Sequence, residues 1–361
     1  MKNKNILEFC LSPDLGGLEL CALDYFNYFN TQTKCKLIVA TNKKLDNYVD
    51  DKDKLTINRN KLFPVIPALK LAKIIDKHEI DIVHFHWTRD IATVVLAKVI
   101  SKRKPKIVQS RHMTMTRFKD DFYHKWLYEN ISLIHAVTYQ VKEQLEKYIP
   151  LNIRPKIEMV YLGVEEPIIN EEIIVQLKER YKIKDEFVIG IIGRIEEAKG
   201  QYLLIDAMNK LQSLNIKVLI VGHTMDETYL NSLKEKVEQY NLEDKIIFTG
   251  FTKSVNEHIK LCDTVVLATP KETFGLVVIE SMINKVCVIA TANGGPLEII
   301  DDEINGVLFN RTSEELVEKI KFLYDNSQYK DKLGLEGYKK AKMIFNRDKQ
   351  NHKLFEILQG I

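Results

Sequence analysis

Two glutamates, Glu272 and Glu280, have the spacing most suggestive of chemistry in this sequence. Seven residues separate them, and the first follows a β-branched run, Thr264–Ala268, that predicts a buried strand ending in a turn. Ligands of parallel α/β sheets bind beyond the carboxyl ends of the strands. A carboxylate in that position can accept hydrogen bonds from sugar hydroxyls, so Glu272 is a candidate binding residue.

The segment after Glu272 predicts an apolar helix over Leu276–Lys285. Unpaired N–H groups and the helix dipole at its start, next to Gly275, would attract phosphate. Glu280 falls at the border of the apolar face, where a carboxylate needs partners such as the diol of a ribose. The alternative is that Glu272 caps the helix and Glu280 is an ordinary solvated residue.

Two cations form a second candidate group. Arg194 follows an apolar strand predicted over Glu186–Gly193, and Lys199 comes just before a helix predicted over Gln201–Leu211. Cations on either side of a helix N-terminus can hold a diphosphate and stabilise it as it leaves. The alternative is a pair of solvated cations.

Histidines mark strand ends in the first half of the chain. His112 follows the predicted strand Lys106–Ser110, and the strand Asp81–His86 ends in two histidines that alternation places on one side. A ligand-facing side chain is expected at the end of a strand. A lone histidine can equally be a structural hydrogen-bonding residue.

Gly16 and Gly17 lie between a strand at Asn5–Leu11 and a helix at Leu18–Phe29, where they would let a ligand approach the backbone. The sequence lacks the GxGxxG and GxxxxGK[ST] patterns, which disfavours a nicotinamide enzyme and a nucleotide triphosphatase. It also lacks metal-ligand spacings, including an Asp-x-Asp pair near the candidate residues, so no metal is expected.

The elements that must position these residues alternate between strand and helix along most of the chain. This pattern predicts α/β parallel sheets covered on both faces. A length of 361 residues favours two domains. The break in the pattern at Tyr161–Pro167 places a hinge between a first domain at 1–165 and a second at 170–345.

The composition is that of a soluble globular protein, with 45% hydrophobic residues and a net charge of +3 that gives no support to nucleic-acid binding. Five cysteines without metal-type spacing fit a reducing cytoplasm. We see no signal peptide and no apolar run long enough to span a membrane.

One segment is strongly basic. Residues 101–125 contain eight Lys or Arg and two Asp, a local charge of +6, and Phe118, Phe122 and Trp126 are nearby. This combination could contact an anionic membrane surface and give access to a lipid-linked saccharide. A core helix with a solvated basic edge is the alternative, and we favour packing of the aromatic residues in the core.

The sequence resembles the retaining glycosyltransferases of family four. The resemblance spans essentially the whole chain, and it is carried in order by PDLGGLE, DIVHFH, QSRH, YLGVE, IGRIEEAKG, TGF, KETFGLVVIE, NGGPLEII, NGVLF and IFNRD. It implies the GT-B fold, in which two Rossmann-like domains with parallel sheets face each other across a cleft. It also implies that the last helix, within residues 348–361, packs back on the first domain.

The resemblance assigns roles to the candidate residues. The residues concerned are Arg194 and Lys199 for the donor diphosphate, Glu280 for the ribose, Glu272 with the amides of Phe274, Gly275 and Leu276 for the donor sugar, Gly16 and Gly17 for the phosphates, His112 for the sugar near its reacting carbon, and the backbone around Phe251 for the base. The sequence departs from the family pattern at Leu162, where Asn is common, and at Glu196-Glu197, which add negative charge close to the implied phosphate site. This charge could weaken donor binding, or the two side chains could simply point to solvent.

The expected activity is a metal-independent, hexosyltransferase-like transfer with retention, from a nucleotide diphosphate sugar to a hydroxyl of a saccharide or lipid-linked saccharide. The sugar nucleotide is a co-substrate, and no cofactor is expected. The protein would act in the cytoplasm, with the inner face of the membrane as a second setting, in polysaccharide or lipopolysaccharide biosynthesis. A GT-B sugar phosphorylase, a nucleotide-sugar epimerase and a non-catalytic nucleotide-sugar binding protein are the alternatives.

Overall fold

The chain forms two compact units. The computed structural model describes residues 3–59 and 63–361. Unit 1 contains the described residues up to Leu162 together with Arg347–Ile361, and unit 2 contains Gly163–Asn346. The boundary between Leu162 and Gly163 lies inside the segment Tyr161–Pro167, where the alternation of strands and helices breaks.

Unit 1 is built on a seven-stranded parallel sheet. Its strands are β1 Ile6–Cys10, β2 Cys35–Ala40, β3 Lys54–Ile57, β4 Ile82–Phe85, β5 Lys106–Arg111, β6 Leu133–Ala136 and β7 Lys156–Met159. The order across the sheet is β3-β2-β1-β4-β5-β6-β7. The chain therefore builds outward in one direction from β1 and then in the other from β4, and the order reverses between these two strands.

Helices connect the strands of unit 1, as parallel strands require. They are α1 Gly17–Gln32, α2 Lys44–Tyr48, α3 Val65–Lys77, α4 Ile91–Ile100, α5 Phe122–Glu129 and α6 Tyr139–Tyr148. A large apolar core includes residues from α3, α4 and α6 as well as alternate residues of the strands.

Unit 2 repeats this plan with six parallel strands. They are β8 Phe187–Ile192, β9 Ile216–Val221, β10 Ile246–Gly250, β11 Thr264–Leu267, β12 Cys287–Thr291 and β13 Val307–Phe309. The order is β10-β9-β8-β11-β12-β13, which reverses between β8 and β11. Two parallel sheets with flanking helices confirm the predicted α/β fold class.

The helices of unit 2 cover both faces of its sheet. They are α7 Glu171–Arg180, α8 Gln201–Lys210, α9 Glu227–Gln239, α10 Val255–Lys260, α11 Leu276–Ile283, α12 Pro296–Ile299, α13 Ser313–Asp325 and α14 Ser327–Ile344. The last helix, α15 at Arg347–Gln359, belongs to unit 1 and packs on α1, where the rings of Phe29 and Phe355 lie 5.7 Å apart.

The structure differs from the predictions made from the sequence at two short, polar elements and at one aromatic cluster. Strand β3 and helix α2 were not predicted, because neither has an apolar period long enough to stand out. Phe118 and Phe122 were expected in the core, but they are 59% and 87% exposed. Only the far side of α5 packs inward, with Leu127 buried and Trp126 partly buried against the core.

Helix α14 packs closely against the end of α11. A Cβ at Gly334 would lie 2.4 Å from the carbonyl oxygen of Lys285. Such a contact is far shorter than a van der Waals distance, so either the helix or the Lys285 backbone would have to move. The absence of a side chain at Gly334 therefore sets the distance between α14 and the turn after α11.

We expect Gly334→Ala to destabilise the protein, although alanine is the better helix former by about 1 kcal/mol. Overpacking of this kind costs about 1–3 kcal/mol, so the melting temperature should fall by a few degrees. Gly360→Ala is the control, because its Cβ would meet nothing closer than 3.5 Å. A melting temperature of Gly334→Ala at or above that of the unchanged protein would contradict this packing.

Candidate active site

The residues predicted to form a site fall into two sets, one in each unit. Gly16, Gly17 and His112 belong to unit 1, and the others belong to unit 2. Most of them follow the carboxyl ends of strands that flank the reversal of strand order. At such a reversal the connections leave in opposite directions, which opens a crevice suited to ligands.

In unit 2 the segments after β8, β11 and β12 converge. Gly200, which precedes α8, has a φ of +73° and approaches the end of β11 so closely that a Cβ there would lie 2.7 Å from the carbonyl oxygen of Ala268. The backbone N–H of Gly295 donates a hydrogen bond of 3.0 Å to the carbonyl oxygen of Glu272. These contacts fix the three segments against one another.

The convergence brings Lys199 and Glu272 into contact. The Lys199 ammonium donates a hydrogen bond of 3.1 Å to Glu272 Oε2, and both side chains are partly buried. The pair places a cation beside a carboxylate just before the N-terminus of α11, which begins after Gly275 at φ +95°. One point of the structure therefore offers groups suited to a phosphate and to a sugar hydroxyl.

Arg194 has an acidic partner of its own. Its guanidinium lies 3.0 Å from Glu196 Oε1, and its carbonyl oxygen accepts a hydrogen bond from Gln201 on α8. Glu196 therefore does not simply point to solvent, because its carboxylate compensates the charge of Arg194. An exposed pair of this kind is weak, at about 1 kcal/mol or less, so a diphosphate could displace the carboxylate.

Helix α11 carries Glu280 on its second turn. No hydrogen bond or ion pair involves its carboxylate within the described residues, and the residue keeps part of its surface exposed. Desolvation by burial raises the pKa of Glu280 to about 7. The carboxyl group is thus available for a ligand, and a ligand with hydroxyl donors would favour its ionised form.

The remaining predicted residues of unit 2 differ in exposure. Phe274 is buried and packs edge-on against Phe345, so only its backbone can meet a ligand. Leu276 is partly buried at the start of α11. Phe251 follows β10, is 60% exposed, and has its ring 6.1 Å from that of His223.

In unit 1, Gly16 caps α1 and Gly17 is its first residue. The neighbouring loops are joined where the N–H of Leu11 donates a hydrogen bond to Asp90 Oδ2, next to the β1–β4 reversal. His112 follows β5, is partly exposed, and has its Nε2 3.2 Å from His86 Nδ1. Burial lowers the pKa of His112, so its imidazole is neutral at pH 7.

Two sequence families match the chain. Residues 35–166 match the family described as Glycosyltransferase Family 4, and residues 174–340 match Glycosyl transferases group 1. Together they cover most of both units. The chain belongs to the group 1 glycosyltransferases of the family 4 type. The resemblance read from the sequence motifs is therefore confirmed, and the protein is a sugar-transferring enzyme by family.

Individual proteins agree with this assignment. The transferase is 28% identical to the putative glycosyltransferase EpsD of Bacillus subtilis, over 94% of this chain and 92% of that protein. It is 27% identical to the N-acetyl-α-D-glucosaminyl L-malate synthase of Bacillus anthracis, over 70% of this chain and 69% of that protein. The fold matches the crystal structure of Anabaena HepE in complex with UDP, with a TM-score of 0.85, 20% identity and coverage of 99% and 100%. The fold is therefore GT-B.

Sequence reasoning missed Arg311, which supports the transferase site in unit 2. Its guanidinium donates hydrogen bonds to the carbonyl oxygen of Ala268 and to the hydroxyl of Tyr202, both at 2.9 Å. Arg311 therefore holds the end of β11 in place. It lies in a polar loop after β13, and nothing in its sequence neighbours distinguishes it from a solvated residue.

Sequence reasoning also missed Glu8, which lies in the middle of β1. It is fully buried between His84 and His86, and these three residues hold their ligand-type atoms within 4.8 Å of one another. The sequence does contain a signal for this contact. A carboxylate inside an apolar strand needs buried partners, and the alternation of side chains already placed the two histidines on one side of β4.

We expect Glu280→Gln to stabilise the ligand-free transferase in a pH-dependent way. The pKa of Glu280 is higher in the folded protein than its ordinary value near 4.5, so ionisation opposes folding increasingly between about pH 4.5 and 7. The free energy of unfolding of the variant, measured with urea, should therefore exceed that of the unchanged protein by roughly 1–3 kcal/mol above pH 7, and the two should be equal near pH 4.5. Exposed Glu235 on α9 is the control. An equal gain at pH 5 and pH 8 would contradict this explanation.

Proposed function

We propose that this transferase moves a sugar from a nucleotide diphosphate sugar to a hydroxyl of a saccharide or lipid-linked saccharide, with retention at the anomeric carbon. The observation that carries the proposal is the contact between Lys199 and Glu272 beside the start of α11. The ammonium and the helix N-terminus suit the diphosphate, and the carboxylate suits the hydroxyls of the sugar attached to it.

The chemistry follows from the charge that develops during transfer. As the bond between the anomeric carbon and the diphosphate oxygen breaks, negative charge grows on the diphosphate. Arg194 and Lys199, with the amides that open α11, would stabilise this charge in the role that a metal ion takes in other transferases. The departing diphosphate would then help to take the proton of the acceptor hydroxyl as the new bond forms on the same face.

A nucleotide donor has further support. The fold neighbour HepE was crystallised with UDP. Glu280, on the helix that would face the ribose, offers a carboxylate that has no partner among residues 3–59 and 63–361. In this proposal Gly16 and Gly17 approach the phosphates, Phe251 lies near the base, and His112 faces the sugar. The donor is a co-substrate, and the reaction uses no further cofactor.

The first prediction for this function concerns the two cations. Arg194→Ala and Lys199→Ala should each lower kcat/KM about 100-fold or more, as loss of a preorganised charge-stabilising donor does. Both side chains are partly exposed, so the fold should persist. Lys210→Ala removes an exposed lysine paired with Glu314 and serves as the control.

A panel of nucleotide sugars, followed by thermal shift and by product analysis, provides the measurement. A donor that binds the folded state raises the melting temperature of the unchanged protein, and the shift should shrink in both variants. Full activity in both variants would overturn the assignment of the cations. An epimerised sugar as the product would identify the protein as an epimerase, and a sugar phosphate would identify it as a phosphorylase. Either product would contradict the proposed transfer.

The acceptor side of the proposal includes contact with an anionic membrane, at its cytoplasmic face. Its support is the cluster formed by Phe118, Phe122 and Tyr123, which are 59%, 87% and 50% exposed among the basic residues of segment 101–125. Aromatic residues with nearby cations are the usual composition of a peripheral membrane contact. No described helix is both long and apolar enough to cross a bilayer.

We expect the protein to float with vesicles of phosphatidylserine and phosphatidylcholine at low salt and to remain unbound to neutral vesicles. Phe122→Ser should weaken binding about tenfold, because an inserted phenylalanine contributes about 1.5–3 kcal/mol. Ile168→Ser is the matched control, since Ile168 is 98% exposed and lies outside the cluster. Absence of binding to anionic vesicles, or equal loss in both variants, would remove the membrane contact from the proposal.

A further inference from the structure

One face of the unit 1 sheet contains buried polar side chains among its apolar residues. Strand pairing places Glu8 of β1 directly beside His84 of β4, and Ser110 of β5 beside His135 of β6. Helix α1 covers this face, with the ring of Tyr25 stacked on His86 at 5.7 Å. Buried polar atoms need partners within the protein, because an unsatisfied one costs about 1–3 kcal/mol.

These side chains form one continuous chain of hydrogen bonds that ends at His112. Its contacts, in order, are His135 Nε2 to Val160 O at 2.8 Å, Ser110 Oγ to His135 Nδ1 at 2.6 Å, His84 Nε2 to Ser110 Oγ at 2.7 Å, His84 Nδ1 to Glu8 Oε1 at 2.9 Å, His86 Nε2 to Glu8 Oε2 at 2.6 Å, and His86 Nδ1 to His112 Nε2 at 3.2 Å.

The carbonyl oxygen of Val160 sets the direction of this chain. A carbonyl only accepts, so Nε2 of His135 must hold a proton. Burial lowers the pKa of His135 to about 3, and the neutral ring then has a bare Nδ1. The hydroxyl of Ser110 must donate its one proton to that nitrogen, and it can only accept from His84.

The direction of the hydrogen bonds at Glu8 is fixed by the neighbouring His84. His84 donates from Nε2 and, with its pKa lowered by burial to about 3, has a bare Nδ1. Oε1 of Glu8 must therefore donate, which requires a protonated carboxyl group, and burial does raise the pKa of Glu8. Oε2 then accepts the Nε2 proton of His86.

The hydrogen bond between His86 and His112 is the last in the series. His86, with its pKa lowered by burial to about 4, uses its bare Nδ1 to accept the Nε2 proton of His112. The Nδ1 of His112 is then unprotonated. It has no hydrogen-bond partner among residues 3–59 and 63–361, and the residue is partly exposed.

We propose that this chain of hydrogen bonds, anchored at the carbonyl of Val160, fixes His112 as the Nε2–H tautomer and presents its Nδ1 lone pair as an acceptor for a substrate hydroxyl. Glu8, His84, His86, Ser110 and His135 are positioning residues in this arrangement, because none of them needs to touch the substrate. The assignment of the ligand as a sugar hydroxyl rests on the proposed function, whereas the tautomer does not.

A metal ion is the competing explanation for Glu8, His84 and His86, whose ligand-type atoms are close together. In the structure, however, each of these atoms already takes part in a hydrogen bond of 2.6–2.9 Å to another member of the group. Metal binding would require Glu8 to be ionised and its contacts with both histidines to be broken. The hydrogen-bonded arrangement satisfies every atom without an ion.

The direct test is the tautomer of His112, measured by long-range ¹H–¹⁵N correlation spectra of protein labelled at histidine nitrogens and assigned with a His112→Gln variant. We expect a single Nε2–H tautomer at pH 7. Glu8→Gln should preserve it, because an amide donates to His84 and accepts from His86 as the protonated carboxyl does. Ser110→Ala should produce a mixture of tautomers, because it removes the hydroxyl that joins His84 to His135 and so disconnects His112 from the carbonyl of Val160.

Ser101→Ala is the control, since it removes another buried serine of unit 1 that bonds Asp76 instead of the chain. It should leave the His112 signals unchanged. A His112 that is protonated at Nδ1, a Glu8→Gln variant that alters the tautomer, or a Ser110→Ala variant that does not would each overturn the inference. So would one equivalent of bound metal in the purified protein that is lost in Glu8→Gln.

Activity provides the second readout. With a donor that the protein accepts, Glu8→Gln should retain kcat/KM within about twofold, and Ser110→Ala should lower it about tenfold, the effect of one misdirected hydrogen bond. An unchanged kcat/KM in Ser110→Ala would overturn the link between the tautomer and the substrate. If the unchanged protein transfers no sugar while its His112 shows the expected tautomer, the proposed function fails and the hydrogen-bond chain stands.

Discussion

The whole arrangement depends on a constraint of parallel sheets, which is that neighbouring strands must be joined by crossover connections. In each unit the strand order reverses once, between β1 and β4 and between β8 and β11. Connections on the two sides of the reversal leave in opposite directions, so the carboxyl ends of these strands stay open to a ligand. This feature of the topology explains the positions of Lys199, Glu272 and Gly16, and of the residues next to His112.

In unit 2 the two cations of the candidate site are each paired with a carboxylate. Lys199 contacts Glu272 and Arg194 contacts Glu196, so the charge of each cation is compensated within the protein. In the proposed function a diphosphate would replace these carboxylates, so each cation would exchange one charge partner for another. In unit 1 the buried polar side chains of the sheet are instead satisfied by hydrogen bonds to one another.

Strongly periodic elements could be predicted from the sequence to within about two residues. Examples are β5, predicted at Lys106–Ser110 and found at Lys106–Arg111, and α8, predicted at Gln201–Leu211 and found at Gln201–Lys210. Their apolar patterns coincide with their buried faces, so local sequence carries the information. Phe118 and Phe122 had the same helical spacing as core residues. Phe118 lies before α5 and Phe122 is its first residue, and only the tertiary structure shows that both are exposed.

The sequence by itself determined the α/β class, the two-unit organisation and the family, because these depend on periodicity and on motifs of adjacent residues. Only the tertiary structure decided which side chains meet. Glu8, His84, Ser110 and His135 lie on four different strands, and Arg311 reaches β11 from 43 residues away. Such contacts depend on strand order and register, which bring distant residues side by side, and no local pattern of residues records them.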